Sequence, residues 1–235
     1  MNSTEFKSRF FTPYVGTKYE DGINGKKLLI IGASFNCGNS SDCGNYNECT
    51  DENKMDSRDF EHKCIEYQKR EDEKSKLLSN MPSNEIESFL DGDTIYSSYC
   101  NFTRFMCESL NRNNSANNFQ WDKANFWDHI AFTNYIQFVL SHTYTKPNNV
   151  NANNNFPALQ ETIKELKPDV LCVWGNKINK KIENGLGCDM IEPETYGSFL
   201  FDEHKIWYFN PYHPSSGYFW REAKLYQGIV DEIFK

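Results

Sequence analysis

Apolar residues in this chain fall into two alternating patterns. The first is the short unbroken run. "KLLIIGASF" at 27–35 reads as a strand buried on both faces, because a strand covered on both sides needs apolar residues at every position. "DHIAFTNYIQF" (128–138), "KPDVLCVWG" (167–175) and "HKIWYFNPY" (204–212) are three further candidates. The second pattern is the helical stripe. Ile95, Tyr99, Phe102, Met106 and Leu110 recur at three- and four-residue spacings within 94–110, and Phe156, Leu159, Ile163 and Leu166 do so in "FPALQETIKELK", as one face of an amphipathic helix must. Phe219, Ala223, Tyr226, Ile229 and Ile233 predict a closing helix after Gly217.

Runs separated by stripes imply parallel strands joined by crossover helices. The fold class expected is therefore α/β: a three-layer α/β/α sandwich around a central, mainly parallel four-stranded sheet. A chain of 235 residues suits one such domain. Residues 1–26 read as a turn-rich arm packed on the core. Residues 36–80 are hydrophilic, hold four cysteines and include "QKREDEKSK" (68–76), and they read as a polar insert. No internal repeat is apparent.

Charge and composition narrow the function. Thirty-three acidic residues against twenty-five basic ones give a net charge of −8, the wrong sign for non-specific affinity to a polyanion, although a local basic rim remains compatible with it. The apolar runs, such as "LLII", fall far short of the roughly 20 residues that cross a bilayer, and "MNSTEFKSRF" has no apolar stretch of a secretory signal. A soluble cytoplasmic protein with reduced thiols and no membrane partner is the expectation.

In parallel sheets ligands bind beyond the carboxyl ends of the strands. "GASFN", "FTNYI", "VWG" and "NPYHPSSG" lie there. In the last, Pro211 and Pro214 cannot donate to a sheet ladder, and Ser215, Ser216 and Gly217 suit a turn or a helix cap, so His213 is presented at the mouth of a cleft.

This ordered set resembles the uracil-DNA glycosylase superfamily, which has a glycine-led motif after the first strand, an asparagine ending the second and a His-Pro-Ser loop after the last. Gly32 with Ala33, Ser34, Phe35 and Asn36, then Asn134 in "AFTN", then His213, Pro214 and Ser215 carry the resemblance. "PYVG", "FWDHIAFTNYIQF" and "LKPDVLCVWG" also look like an uncharacterised bacterial branch of it, whose first motif reads Gly-Glu-Ser-His-Tyr. The resemblance covers most of the chain apart from the insert. It implies a glycosylase-like fold, DNA with a flipped-out base as partner, and N-glycosidic hydrolysis of a damaged or modified base with no cofactor needed for catalysis.

The chemistry assigns roles. Cleaving the base from its sugar puts negative charge on the base, which a preorganised donor stabilises. His213, with Ser34 and Asn36 at the first motif, forms the candidate catalytic set: His213 donates an N–H to a carbonyl oxygen of the base, and Asn36 orients a water. Gly32, Phe35 and Asn134 are the candidate base-binding set. Phe35 would stack on the base or pack in the core, and Asn134 offers the acceptor and donors that match a pyrimidine edge. Ser215 and Ser216 could hold a phosphate, or simply cap a helix. Ala33 stands where the bacterial branch has glutamate, and "GASFNCGNSS" holds no carboxylate before Asp42. Water activation from this motif is therefore expected to be weak and turnover on uracil-DNA slow or absent.

Cys37, Cys43, Cys49 and Cys64 cluster in the insert with His62 nearby. Four thiols where little core can form point either to a structural zinc site or to free thiols. Cys100, Cys107 and Cys172 lie on predicted buried faces and read as small core residues. Two alternatives stand beside the hydrolase: a catalytically silent module of the same fold that binds a nucleobase or nucleic acid, and an interaction scaffold whose working surface is the insert.

Overall fold

A computed structural model of the chain describes residues 9–36, 77–93, 95–113, 120–140, 154–191 and 194–235. It is a mixed α/β fold built on a seven-stranded sheet. The strands are β1 (Tyr14–Val15), β2 (Leu28–Gly32), β3 (Phe35–Asn36), β4 (Ile130–Asn134), β5 (Val139–Leu140), β6 (Val170–Val173), β7 (Asp189–Ile191), β8 (Tyr196–Phe201) and β9 (His204–Phe209). The helices are α1 (Met81–Asp91), α2 (Ser97–Asn113), α3 (Lys123–Asp128), α4 (Asn155–Leu166), α5 (Asn176–Leu186), α6 (Gly217–Arg221) and α7 (Ala223–Ile233).

Strand order in the main sheet is β1-β4-β2-β6-β9-β8-β7, and β3 pairs with β5 in a small separate ladder. The four strands expected from sequence, β2, β4, β6 and β9, form the parallel centre. Their number was underestimated, because β1 adds to one edge antiparallel and β8 and β7 extend the other in the same way. The hairpin joining β8 to β9 turns through Asp202 and Glu203, at φ 48° and 66°. Turns with two positive-φ residues normally announce themselves with Asn-Gly or Asp-Gly. Asp-Glu gives no such signal.

Every residue of β2, β4 and β6 is buried, which explains why these strands read as continuous apolar runs. On one face Phe132 of β4 meets Tyr99 of α2 at 5.5 Å between ring centroids, and Phe209 of β9 meets Tyr226 of α7 at 5.6 Å. On the other face the Tyr208 hydroxyl donates to the Asn179 carbonyl of α5, and Tyr19 donates to the Leu166 carbonyl at the end of α4. Helices therefore cover both faces. The N-terminal arm packs as expected, with Phe11, Tyr14, Tyr19 and Ile23 buried.

Some boundaries moved. Ile95 precedes α2 and is 84% exposed, so the stripe of that helix begins at Tyr99. The closing helix is two helices, interrupted at Glu222, whose backbone (φ −95°, ψ 5°) leaves the α region. The polar insert ends sooner than 80: Leu78 and Ser79 of a 3₁₀ turn are already buried, and the Ser79 carbonyl accepts from Thr12 N–H. Cys37, Cys43, Cys49 and Cys64, with His62, lie outside the described residues. Cys172 is fully buried, Cys100 and Cys107 are half-buried against the core, and these and Cys188 are free thiols. Among the described residues no helix is long and apolar enough to cross a membrane, and no group of three or more His, Cys, Asp or Glu could hold a metal ion.

Candidate functional site

At the carboxyl ends of β2, β4, β6 and β9 the loops enclose a cavity of about 780 Å³, within the roughly 300–1,000 Å³ range of small-molecule sites. The first-motif residues Gly32, Ala33, Ser34, Phe35 and Asn36 line it, together with Asn134, His213, Ser215 and Ser216. Apart from Pro214, the residues singled out from the two motifs and the second strand thus meet in one place. The floor is aromatic. Tyr99, Phe132 and Trp174 line the cavity and pack together with ring centroids 5.5–5.9 Å apart.

Two glycines make room for the polar groups. A Cβ on Gly32 would stand 2.1 Å from Asn134 Oδ1, so the amide of Asn134 occupies the space that any other residue at position 32 would fill. Gly32 and Asn134 are register partners in the parallel β2–β4 ladder, which brings these two distant residues side by side. Asn134 is 4% exposed, and among the described residues no hydrogen bond engages its side-chain amide; its carbonyl accepts from Gln137 Nε2 at 2.8 Å. Gly175 has a different reason. Its φ of 99° is one that L side chains rarely adopt, and the His213 side chain lies over it.

The protonation state of His213 follows from its neighbours. Ser215 N–H donates to Nδ1 at 3.3 Å, and the Ser215 hydroxyl lies 2.8 Å from the same nitrogen. A backbone N–H can only donate, so Nδ1 is an acceptor and the proton of the neutral ring is on Nε2. Burial holds the imidazole pKa below its ordinary value of 6.5, which keeps the ring neutral near pH 7. Among the described residues Nε2 has no partner. Trp174 meets the ring edge-on at 6.5 Å.

The remaining expected residues are distributed unevenly. Phe35 is buried, with its ring edge-on to Phe11 at 5.0 Å, and still contributes to the wall. Ser34 is half-buried and Asn36 exposed at the mouth. The two serines expected to hold a phosphate have internal work: the Ser215 hydroxyl engages His213, and Ser216 caps α6, accepting from Tyr218 N–H at 3.2 Å.

Sequence reasoning missed Glu85 and Tyr96, which also line the cavity. Glu85 comes from α1, and Tyr96 immediately precedes α2. They are hydrogen-bonded, and burial, the Glu85 charge and that bond push the Tyr96 hydroxyl up to about 12. Tyr96 therefore remains a donor and Glu85 an acceptor. The helix itself was signalled by Pro82 in its first turn and the left-handed Gly92 at its end. Nothing local ties its glutamate to a cleft. Compared with known family models and with curated protein sequences, the chain matches none.

Proposed function

We propose that the cavity receives a nucleobase turned out of a DNA strand and that the protein is a glycosylase-like hydrolase of the N-glycosidic bond of a damaged or modified base. What supports this is the pairing, in one aromatic-floored cavity, of an unengaged amide at Asn134 with an Nε2–H donor at His213. The base lies against the aromatic walls. Asn134 presents an acceptor and donors to its edge. As the bond from C1′ to the base nitrogen lengthens, the electron pair moves onto the base, and its carbonyl oxygen gains the charge that Nε2–H stabilises. A neutral imidazole suffices for this role.

The fixed geometry matters more than the strength of one hydrogen bond. Ser215 holds the ring from the Nδ1 side, and the glycine at 175 lets the ring seat against the backbone, so little reorganisation is left for the reaction itself. A second reading, a module that binds a base without cutting it, is favoured by one observation: Ala33 leaves the first motif without a carboxylate.

The test is incubation with a panel of oligonucleotides carrying uracil and other modified bases, followed by alkaline cleavage of abasic sites. Excision of at least one base is expected, with His213→Ala lowering the single-turnover rate roughly 10²–10³-fold. Absence of excision across the panel, with retained binding, would favour the silent module. Robust excision that survives His213→Ala would move the chemistry elsewhere.

A further inference from the structure

We infer that the mouth of the cavity is a track for single-stranded DNA, in which Tyr218 stacks on a base next to the one turned inward and Arg104 and Arg221 hold neighbouring phosphates. The inference rests on reading the cavity as a site for a base turned out of DNA, and it adds the strandedness of the substrate and the residues that grip the flanking strand. A net charge of −8 repels a polyanion as a whole, and no lysine or arginine is among the described residues that line the cavity. The attraction has to come from the rim.

There, flat rings and unpaired positive charge stand side by side. Tyr218 lines the cavity and is 58% exposed, and its ring packs on that of Tyr212, another lining residue, with centroids 5.6 Å apart. The Arg221 guanidinium lies over the Tyr218 ring at 5.0 Å from its centroid, and the Arg104 guanidinium lies over Trp220 at 4.3 Å. Both arginines are exposed. Among the described residues neither forms an ion pair. The helix α2 brings Arg104 to this rim. Its Ser98 and Tyr99 line the cavity and its Asn101 donates to the Pro214 carbonyl. Arg104 follows within a turn, about 7.5 Å from Tyr99 along the axis at 1.5 Å per residue.

This chemistry fits an unpaired strand better than a duplex. A guanidinium laid flat on a ring uses one face and keeps its N–H edge free for phosphate oxygens. In a duplex each base is already covered by its neighbours, so Tyr218 gains a partner only after unstacking. A single strand offers the faces of its bases freely, and stacking on an aromatic ring tolerates any sequence. Because Tyr218 stands at the mouth of the cavity, the base it takes is a neighbour of the one turned inward.

The experiment is fluorescence anisotropy with the full chain and a labelled DNA carrying one tetrahydrofuran abasic nucleotide, presented as a single strand and as its duplex. With no base at that position, the rim is read apart from the cavity. The single strand should bind at least about tenfold more tightly. Tyr218→Ala should weaken that binding about 5- to 100-fold, and Tyr218→Phe should keep it within about twofold of the parent. Arg104→Gln and Arg221→Gln should each flatten the slope of log affinity against log salt by about 0.7, one phosphate contact apiece. Lys205→Gln is the control: this lysine lies over Trp207 at 4.7 Å, near the amino end of β9 and away from the cavity, and its loss should leave affinity and slope unchanged. Equal affinity for strand and duplex, tighter binding of an RNA of the same sequence, or a Tyr218→Ala variant within about twofold of the parent would overturn the inference. Binding as expected with no base excised across the panel leaves the track standing and removes the hydrolase. Excision indifferent to strandedness and to Tyr218 removes the track and leaves the hydrolase.

Discussion

At Gly32 the fold admits no side chain, and the reason is space rather than backbone conformation. The position is a strand end with no positive φ, yet a Cβ there would meet Asn134 Oδ1 at 2.1 Å and the Phe132 ring at 3.2 Å. Neither neighbour can retreat easily, since Phe132 is buried among Tyr99, Trp127 and Trp174. Gly32→Ala must therefore displace the amide. We expect a loss of roughly 1–3 kcal/mol of stability, the usual cost of overpacking, and weakened binding of any ligand read by Asn134. Urea denaturation and oligonucleotide titration check this; an unchanged midpoint with unchanged affinity would contradict it. At Gly175 the demand is conformational, so the same substitution there would strain the backbone instead of the site.

The loop carrying His213 is an element held by its neighbours. Two prolines deprive it of backbone donors, and its hold on the protein runs through side-chain hydrogen bonds with three helices. Asn101 Nδ2 of α2 donates to the Pro214 carbonyl at 2.8 Å, Tyr212 N–H donates to the Tyr226 hydroxyl of α7 at 3.1 Å, and Ser216 caps α6. Within the loop Ser216 N–H donates to the His213 carbonyl at 2.8 Å. Removing the α2 tether with Asn101→Ala should cost about 1 kcal/mol globally, with a disproportionate local effect. Amide hydrogen exchange at Ser216 is expected to accelerate relative to the sheet core. Unchanged exchange there would show that the other two supports suffice.

For the whole molecule, the lowered pKa of His213 becomes a dependence of stability on pH. The unfolded chain protonates this histidine near the ordinary 6.5, whereas burial resists protonation in the folded one. Between those two values the unfolded state binds more protons, so stability rises with pH across that window. The contribution of His213 is fully present above pH 6.5 and is lost as pH falls through the lowered folded value. Urea midpoints of the parent and of His213→Gln, measured from pH 7.5 to pH 5, should therefore converge or cross as the pH falls, the parent losing more. Parallel curves would mean that the imidazole titrates alike in both states.

Three of the four central strands, β2, β4 and β6, were legible because a strand buried on both faces must be apolar throughout, a property of adjacent residues that no tertiary contact needs to supply, and β9 by the apolar run from Ile206 to Phe209. The same holds for Gly32, Asn134 and His213, each of which follows or ends such a run and is carried by it to one edge of the sheet. The edge strands were not legible: β7 is mostly exposed, and the β8–β9 turn lacks the residues its geometry usually demands. Tertiary structure alone decided that the Asn134 amide fills the space over Gly32, that Ser215 faces His213 and fixes its tautomer, and that Glu85 shares the cavity with Ala33. Periodicity reports the burial of one element, whereas a cavity is made by loops distant in the chain, whose meeting depends on strand order and register. Glu85 reaches the cavity from a helix whose own pattern, read alone, speaks only of packing.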